Sequence, residues 1–176
     1  MTEWPRLHID ELVRGLADSR VSYVLVGGAA ARLYGVTRPP GDLDICVRWE
    51  RENVDRLARM LRALDALPAD PFGVVYHEPL ARAMFLKLLV GMWRTTLGQI
   101  DVKLGILGCT PSDLKCFHEL MKHSVRTEIA GCALNVASLD DMIISIQAKK
   151  RPKDTAILSE LIVLRDGHQR LKMATL

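Results

Sequence analysis

The stretch from Gly27 to Arg48 reads GGAAARLYGVTRPPGDLDICVR and contains the features that decide the fold. A continuous apolar run, Tyr23 to Val26, comes directly before it and is typical of a strand covered on both faces. The two glycines lead into an alanine-rich segment that predicts a short helix over residues 29–34. The stretch therefore predicts a buried strand, a glycine turn and a helix, followed by a second strand over residues 42–48.

The glycine pair Gly27-Gly28 allows two interpretations. Glycine permits a sharp backbone turn and lets an anion approach the amides, and a helix N-terminus favours negative charge. The pair therefore predicts either a site for a phosphate-bearing ligand or a tight strand-to-helix turn with no ligand. The pair by itself favours the plain turn.

The second strand places two carboxylates on one face. Strand side chains alternate between faces, so Asp42 and Asp44 share one side. The opposite side carries the apolar residues Leu43, Ile45 and Val47, which we expect to pack inward. The carboxylates should then lie on an accessible face, where they repel each other unless a cation lies between them. A hard divalent ion such as Mg²⁺ suits this pair, and the alternative is an ordinary surface pair near a turn.

A third carboxylate, Asp101, follows the same logic on a later strand. The buried face of that strand is formed by Ile100, Val102, Leu104 and Ile106, so Asp101 and Lys103 lie on the other side. If the two strands are neighbours, the three carboxylates converge and can hold two metal ions. Two such ions could bridge nucleotide phosphates, activate an attacking hydroxyl and neutralise a leaving pyrophosphate. The alternative is an acid near a strand edge that pairs with Lys103.

Composition limits the class of protein. The chain has 176 residues, of which 49% are hydrophobic and 26% charged, which is enough for one folded domain with its own core. We expect one domain over residues 1–176, with a core of about 8–108 and a helical and hairpin C-terminal part of about 110–176. No apolar run is long enough to span a membrane, and nothing at the start resembles a secretory signal. The 4 cysteines are scattered, which favours a cytoplasmic protein.

The remaining patterns predict an α+β fold. We expect a mixed sheet of about five strands flanked by helices, with a small helical C-terminal appendage. Residues 110–113 resemble a capping box and predict a helix whose buried stripe includes Leu114. Further strands are predicted over 74–78, 84–90 and 99–106, a hairpin over 125–129 and 133–136, and helices that begin near Ser138 and Ile157 on either side of Pro152.

The spacing of Gly27-Gly28, Arg38, Asp42-x-Asp44 and Asp101 resembles the nucleotidyltransferase superfamily with the DNA polymerase β-like fold. Within it, the arrangement is similar to the bacterial AbiEii/MenT-type nucleotidyltransferases, which are toxins of type IV toxin–antitoxin pairs, and to their small relatives. Residues 138–154 resemble the tail of those relatives. The similarity spans roughly residues 21–165.

The resemblance implies a role for each matching residue. Gly27 and Gly28 would hold the triphosphate, and Asp42, Asp44 and Asp101 would ligate Mg²⁺, as two ions, with Mn²⁺ as a substitute. Asp101 would also help to deprotonate the acceptor hydroxyl.

The resemblance also assigns roles to basic residues. Arg38, Lys149, Arg151 and Lys153 would contact phosphates of the nucleotide or the acceptor. The last three lie in the C-terminal segment that begins at Gln147, which carries 7 basic and 3 acidic residues. Asp154 would orient a basic side chain rather than bind metal. Ile146 stands where relatives carry a lysine, whose role then falls to Lys149 or Lys150.

The activity implied is Mg²⁺-dependent transfer of a nucleoside monophosphate from a nucleoside triphosphate to an acceptor hydroxyl. The resemblance favours a tRNA 3′ end or a protein side chain as acceptor and an antitoxin protein as a partner. The alternatives are a catalytically degenerate module that binds nucleotide or RNA, and an antibiotic-modifying nucleotidyltransferase. Other chemistries lack their motifs: there is no Gly-x-x-x-x-Gly-Lys phosphate loop and no Gly-x-Ser-x-Gly elbow.

Overall fold

The computed structural model describes residues 6–69, 90–110 and 112–174. The predicted strand over 74–78 and all of the one over 84–90 except Val90 lie outside these residues. The helices are α1 (Ile9–Asp18), α2 (Gly27–Leu33), α3 (Arg51–Ala63), α4 (Phe117–His123), α5 (Leu139–Lys149) and α6 (Thr155–Ala174), with a 3-10 turn at Pro152–Asp154. The strands are β1 (Tyr23–Val26), β2 (Leu43–Val47), β3 (Leu67–Ala69), β4 (Val90–Thr95), β5 (Gly98–Lys103), β6 (Gly105–Leu107), β7 (Leu114–Cys116), β8 (Val125–Ile129) and β9 (Cys132–Val136).

The strands form a mixed sheet, as the sequence predicts. Seven strands are arranged in the order β3-β4-β5-β2-β1-β9-β8, and β6 and β7 form a separate pair. The pairs β1/β9 and β2/β5 are parallel, whereas the other pairs of the large sheet are antiparallel. The sheet is wider than the expected five strands because the predicted C-terminal hairpin, β8–β9, extends it alongside β1 and because β3 joins its other end.

The central strands are covered on both faces. All four residues of β1 and all five of β2 are buried, so the continuous apolar run of β1 reflects two covered faces. The helix α3 is tied to the ends of these strands by Asn53, whose side-chain amide donates to the carbonyls of Ser22 and Arg48 and whose oxygen accepts from the Ser22 amide. The core also contains Leu12 and Leu16 of α1, Leu57 and Leu61 of α3, and Trp93 and Ile100 of β4 and β5.

The predicted helix start at residues 110–113 is wrong. Asp113 instead closes a turn, because its carbonyl accepts from the Gly108 amide and its carboxylate from the Cys109 amide. Leu114 then lies in β7 and is 44% exposed, and the helix α4 begins only at Phe117. The capping box at this helix is formed by Cys116 and Glu119, which the sequence analysis did not identify.

Both ends of α5 follow the sequence pattern. Ser138 caps the helix, its hydroxyl accepting from the Asp141 amide. The helix ends at Lys149, with Lys150 in the left-handed conformation at φ 49°, and Pro152 begins the 3-10 turn. The turn leads into α6, which continues through Gly167 to Ala174. Within the described residues, no helix combines the length and apolar character that crossing a bilayer requires.

Candidate functional site

The parallel pairing of β2 and β5 brings the predicted carboxylates together. Asp44 lies directly opposite Asp101 in the register of the two strands. One carboxylate oxygen from each of Asp42, Asp44 and Asp101 lies within 4.8 Å of the others. The predicted convergence of three carboxylates from two strands is therefore confirmed.

The prediction that Asp42 and Asp44 share an accessible face is wrong for the centre of the site. Asp44 and Asp101 are only 9% and 7% exposed, and Cys46, on the same face of β2, is fully buried. The reason is that β2 and β5 are interior strands whose residues are buried on both faces. Asp42, which precedes β2, is half-buried, so the cluster reaches solvent at its Asp42 end.

Lys103 and Gln99 hold the buried carboxylates in place. The Lys103 ammonium lies 2.7 Å from Asp44 Oδ1 and 3.8 Å from Asp101 Oδ2. Gln99 Nε2 donates to Asp101 Oδ1 at 2.6 Å. Lys103 thus pairs more closely with Asp44 than with Asp101, the partner that the alternative interpretation of the sequence gave it. Gln99 was missed, although alternation along β5 places residues 99, 101 and 103 on one face.

Burial and charge shift the ionisation of the cluster. Burial raises the pKa of Asp101; the neighbouring Asp44 carboxylate raises it further, and the Gln99 hydrogen bond and the charges of Lys103 and Arg94 oppose these effects. Burial alone would lower the pKa of Lys103, but the attraction of Asp44 and the other carboxylates outweighs it, and the pKa is raised. The carboxylates therefore stabilise the charged form of Lys103 inside the protein. The three carboxylates of the cluster outnumber this one ammonium group.

Gly27 makes room for this cluster. It begins α2 with φ +67°, and a Cβ built on it would lie 1.8 Å from Asp44 Oδ2. Gly28 has no such conflict, because a Cβ built on it would lie 3.4 Å from the nearest atom, the Pro40 Cβ. The glycine pair thus places the N-terminus of α2 directly beside Asp44, and the first glycine is the one that the geometry requires.

The loop that carries Arg38 is fixed from α6. The Glu160 carboxylate accepts from the Thr37 backbone amide at 2.8 Å and from the Thr37 hydroxyl at 3.1 Å. Arg32 Nη1 donates to the carbonyls of Val36 and Thr37 at 3.0 and 3.2 Å. Arg38 itself is exposed. Glu160 was not identified from the sequence, because a contact across 123 residues leaves no local pattern.

The predicted C-terminal basic residues fall into different environments. Lys149 approaches the carboxylate cluster: burial lowers its pKa, and the charges of Lys103 and Arg151 lower it further, while Asp44 and Asp154 oppose this. Lys150 is exposed, whereas Ile146 packs against the core. Lys149 therefore lies close enough to Lys103 and Asp44 for their charges to act on it. Lys153 belongs to the turn Pro152–Asp154.

Asp154 holds Arg151 in place. Arg151 Nε and Nη2 lie 2.7 and 2.6 Å from Asp154 Oδ2, while Asp154 is 8% exposed. The expected function of Asp154, to orient a basic side chain, agrees with this contact. The Arg151 guanidinium remains half exposed and can contact a further anion.

The donor set suits a hard divalent cation. Carboxylate oxygens are the ligands that Mg²⁺ prefers, and three of them, from Asp42, Asp44 and Asp101, converge here, where Gly27 at the start of α2 lies against Asp44. A cation that replaced the Lys103 ammonium between Asp44 and Asp101 would relieve their repulsion in the same way. The arrangement can therefore hold metal and bring an anionic ligand next to it.

Comparison with known proteins gives structural neighbours. No protein-family model and no curated protein sequence matches this chain. The solution structure of the antibiotic-resistance factor ANT(2″)-Ia is similar at TM-score 0.52 and 16% identity, over 95% of this chain and 92% of that chain. The crystal structure of ANT(2″)-Ia in complex with adenylyl-2″-tobramycin gives TM-score 0.52 and 16% identity, over 93% of this chain and 96% of that chain.

A fungal protein shows the same similarity. The crystal structure of an antigenic nucleotidyltransferase-like protein from Paracoccidioides brasiliensis matches at TM-score 0.51 and 14% identity, over 89% of this chain and 72% of that chain. At these identities the similarity concerns the fold, and the closer resemblance to AbiEii/MenT-type toxins stays a prediction. With three carboxylates converging from β2 and β5, the chain has the fold of the nucleotidyltransferases, as its sequence predicts.

Proposed function

We propose that this protein is a Mg²⁺-dependent nucleotidyltransferase that moves a nucleoside monophosphate from a nucleoside triphosphate to an acceptor hydroxyl. The observation that carries the proposal is the convergence of Asp42, Asp44 and Asp101 within 4.8 Å of one another. A nucleotidyltransferase fold that lacked the reaction would have no need to keep two of these carboxylates buried next to each other, because their repulsion opposes folding.

Each group of the site has a part in this reaction. Asp42, Asp44 and Asp101 would hold Mg²⁺, which supplies a Lewis acid for the phosphates and for the leaving pyrophosphate. Asp101 would also accept the proton of the acceptor hydroxyl, the role that the family resemblance implies, because it lies among the carboxylates that would hold the metal.

The basic residues would bind the nucleotide. The backbone at Gly27 and Gly28 would receive the triphosphate at the start of α2, next to Asp44. Lys149 and Arg151 would contact phosphates from the C-terminal side of the site, with Arg38 and Lys153 as further contacts. These side chains neutralise charge and fix the reacting groups in position.

The surroundings of the cluster favour an anionic acceptor. Lys149 lies near the carboxylates, the half-exposed Arg151 lies near Lys149, and Lys150 is exposed at the end of α5. This basic rim favours RNA, such as a tRNA 3′ end, since phosphates would be attracted to it. A protein side chain remains the second acceptor that the family resemblance implies, with an antitoxin as a regulatory partner.

A second candidate function follows from the structural neighbours. ANT(2″)-Ia is solved with adenylyl-2″-tobramycin, so the same fold can act on an antibiotic. Tobramycin carries several amino groups and would be repelled by a basic rim, which is why we place this function second.

The test is a transfer assay with a matched control. The protein is incubated with each α-labelled nucleoside triphosphate, Mg²⁺, and either total RNA, cell lysate or a panel of antibiotics. We expect label in the RNA fraction, a loss of about 100-fold or more in Asp44→Asn with nucleotide binding kept, and no change in the exposed Asp18→Asn control.

The other outcomes separate the alternatives. Label only on a drug would establish the antibiotic-modifying function instead. Nucleotide binding without transfer to any fraction would identify a degenerate binding module. Equal activity of Asp44→Asn and the wild-type protein would remove the carboxylate cluster from the reaction.

A further inference from the structure

The large sheet ends in a strand whose outer edge pairs with no other strand of the described residues. This strand is β8, Val125-Arg126-Thr127-Glu128-Ile129, and its inner edge pairs with β9. Strand edges with free amides and carbonyls are templates for pairing with another strand. The residues of β8 determine which strand can pair with this edge.

The hairpin geometry determines which residues face outward. Ala130 and Gly131 both have positive φ, 53° and 80°, as in a two-residue type I′ turn. The pair that flanks such a turn, Ile129 and Cys132, exchanges both hydrogen bonds, and the alternation of an antiparallel ladder then continues along the strand. The backbone groups of Thr127 therefore point towards β9, and those of Arg126 and Glu128 point outward.

The outward residues are complementary to a second copy of themselves. In an antiparallel pair centred on Thr127, Arg126 lies opposite Glu128 of the other copy, and the same pairing repeats by symmetry. Both side chains are exposed, and neither forms an ion pair with another described residue. The register also places Val125, which is 49% exposed, opposite Ile129 of the other copy. Opposite charges and apolar side chains directly across a strand pair stabilise it.

The two nearest registers with the same backbone alternation are unfavourable. A shift of the centre to Arg126 places Arg126 opposite itself, and a shift to Glu128 places Glu128 opposite itself. Like charges directly opposite each other destabilise a strand pair. Charged residues usually keep an edge strand from pairing, and here they favour the register centred on Thr127, in which both charged pairs are of opposite sign.

We propose that β8 pairs with β8 of a second copy, antiparallel about Thr127, so that the two large sheets become one continuous sheet. The contact supplies about four main-chain hydrogen bonds, two from each Arg126–Glu128 pair, and buries Val125. Because a five-residue strand pair is a small interface, we expect a reversible dimer with a dissociation constant on the order of 10 μM or weaker. The dimer does not depend on the proposed reaction.

Charge reversal tests the register. Sedimentation velocity over about 5–500 μM protein should show a reversible monomer–dimer equilibrium for the wild-type chain. Arg126→Glu and Glu128→Arg should each shift dissociation to at least about tenfold higher concentration, because each places like charges opposite each other. An equimolar mixture of the two variants should dimerise again, since each acid then faces an arginine of the other variant.

A backbone variant supplies an independent check. Arg126→Pro removes an outward-facing amide and leaves the hydrogen bonds to β9 in place, so it should also prevent dimerisation. A wild-type chain that remains monomeric at the highest concentration would overturn the proposal. So would a dimer that persists in Arg126→Glu, Glu128→Arg and Arg126→Pro, or a mixture of the charge variants that stays monomeric.

Discussion

Gly27 is the position where one added methyl group would disturb the candidate site most. Its φ of +67° is unfavourable for any other residue, and a Cβ would overlap Asp44 Oδ2. We expect Gly27→Ala to lower the free energy of unfolding by roughly 1–3 kcal/mol and to displace the Asp44 carboxylate. Chemical denaturation measures the first effect, and transfer activity the second.

Gly28→Ala is the matched control for this prediction. Gly28 lies in α2, where alanine is the better helix former, and the space beside it accepts a methyl group. Its free energy of unfolding should stay within about 1 kcal/mol of the wild-type value. Equal losses of stability in the two variants would contradict the packing of Gly27 against Asp44.

Asp101 should lower stability in the metal-free protein at neutral pH. Its pKa is raised by burial and by the Asp44 charge, so the folded chain binds its proton more tightly than the unfolded chain does. Stability therefore falls as the pH rises from the unfolded pKa, about 4, through the raised pKa of the folded state. Asp101→Asn removes this effect and keeps an oxygen that can accept from Gln99.

The expected result is a gain in stability together with a loss of transfer. At pH 7 with a metal chelator, Asp101→Asn should unfold at higher denaturant, by roughly 0.5–2 kcal/mol. The gain should shrink towards zero as the pH falls below about 4, where the wild-type carboxyl becomes protonated in both states. A variant that is less stable than the wild-type protein at pH 7 would mean that the Lys103 pairing outweighs burial.

At the scale of elements, α6 should control the loop that carries Arg38. The Glu160 carboxylate is the contact from α6 to Thr37, one residue before Arg38. If Arg38 binds nucleotide, Glu160→Ala should raise the KM for nucleotide by about 3–10-fold with little change in kcat, because it loosens a binding residue and not the reacting groups. Glu160→Gln keeps one acceptor oxygen and should recover most of the affinity. A fall in kcat with KM unchanged would contradict this assignment.

The end of α5 offers a pair of adjacent lysines in different environments. Lys149 is half-buried near Lys103 and Asp44, whereas Lys150 is exposed. We expect Lys149→Met to raise the KM for nucleotide by about tenfold, in line with the loss of one charge-assisted contact, and Lys150→Met by less than about twofold. Steady-state kinetics with varied nucleotide measures both. The reverse order would assign the phosphate contact to Lys150.

The strands that carry the site residues were largely predictable from the sequence, whereas the element that follows β6 was not. Alternation of apolar and acidic residues identified β2, and the apolar residues Ile100 and Val102 identified β5, but the predicted strand over 99–106 ends at Lys103, since Gly105–Leu107 pairs with β7 instead. The helix predicted from residues 110–113 does not form there, because Asp113 closes the turn between β6 and β7 and does not begin a helix. A capping pattern is local, and the pairing of two short strands overrides it.

At the scale of the whole molecule, the sequence indicated which residues could lie close together, but it did not indicate the strand register or the burial of the carboxylates. The register that places Asp44 opposite Asp101 is set by the packing of the entire sheet, since β2 and β5 are separated by α3, β3 and β4 in the chain. The burial of these carboxylates likewise depends on the assembled fold, because they lie on interior strands whose residues are covered on both faces. Long-range contacts such as Lys103 to Asp44 and Glu160 to Thr37 follow from the assembled fold.

Anomalous diffraction from Mn²⁺ tests the central claim most directly. Crystals grown with Mn²⁺ and a non-hydrolysable nucleoside triphosphate should show an anomalous peak about 2.0–2.3 Å from oxygens of Asp42, Asp44 and Asp101, with the phosphates beside Gly27. Asp44→Asn crystals, prepared in the same way, should show a much weaker peak. A well-ordered nucleotide with no anomalous peak between these carboxylates would contradict the account.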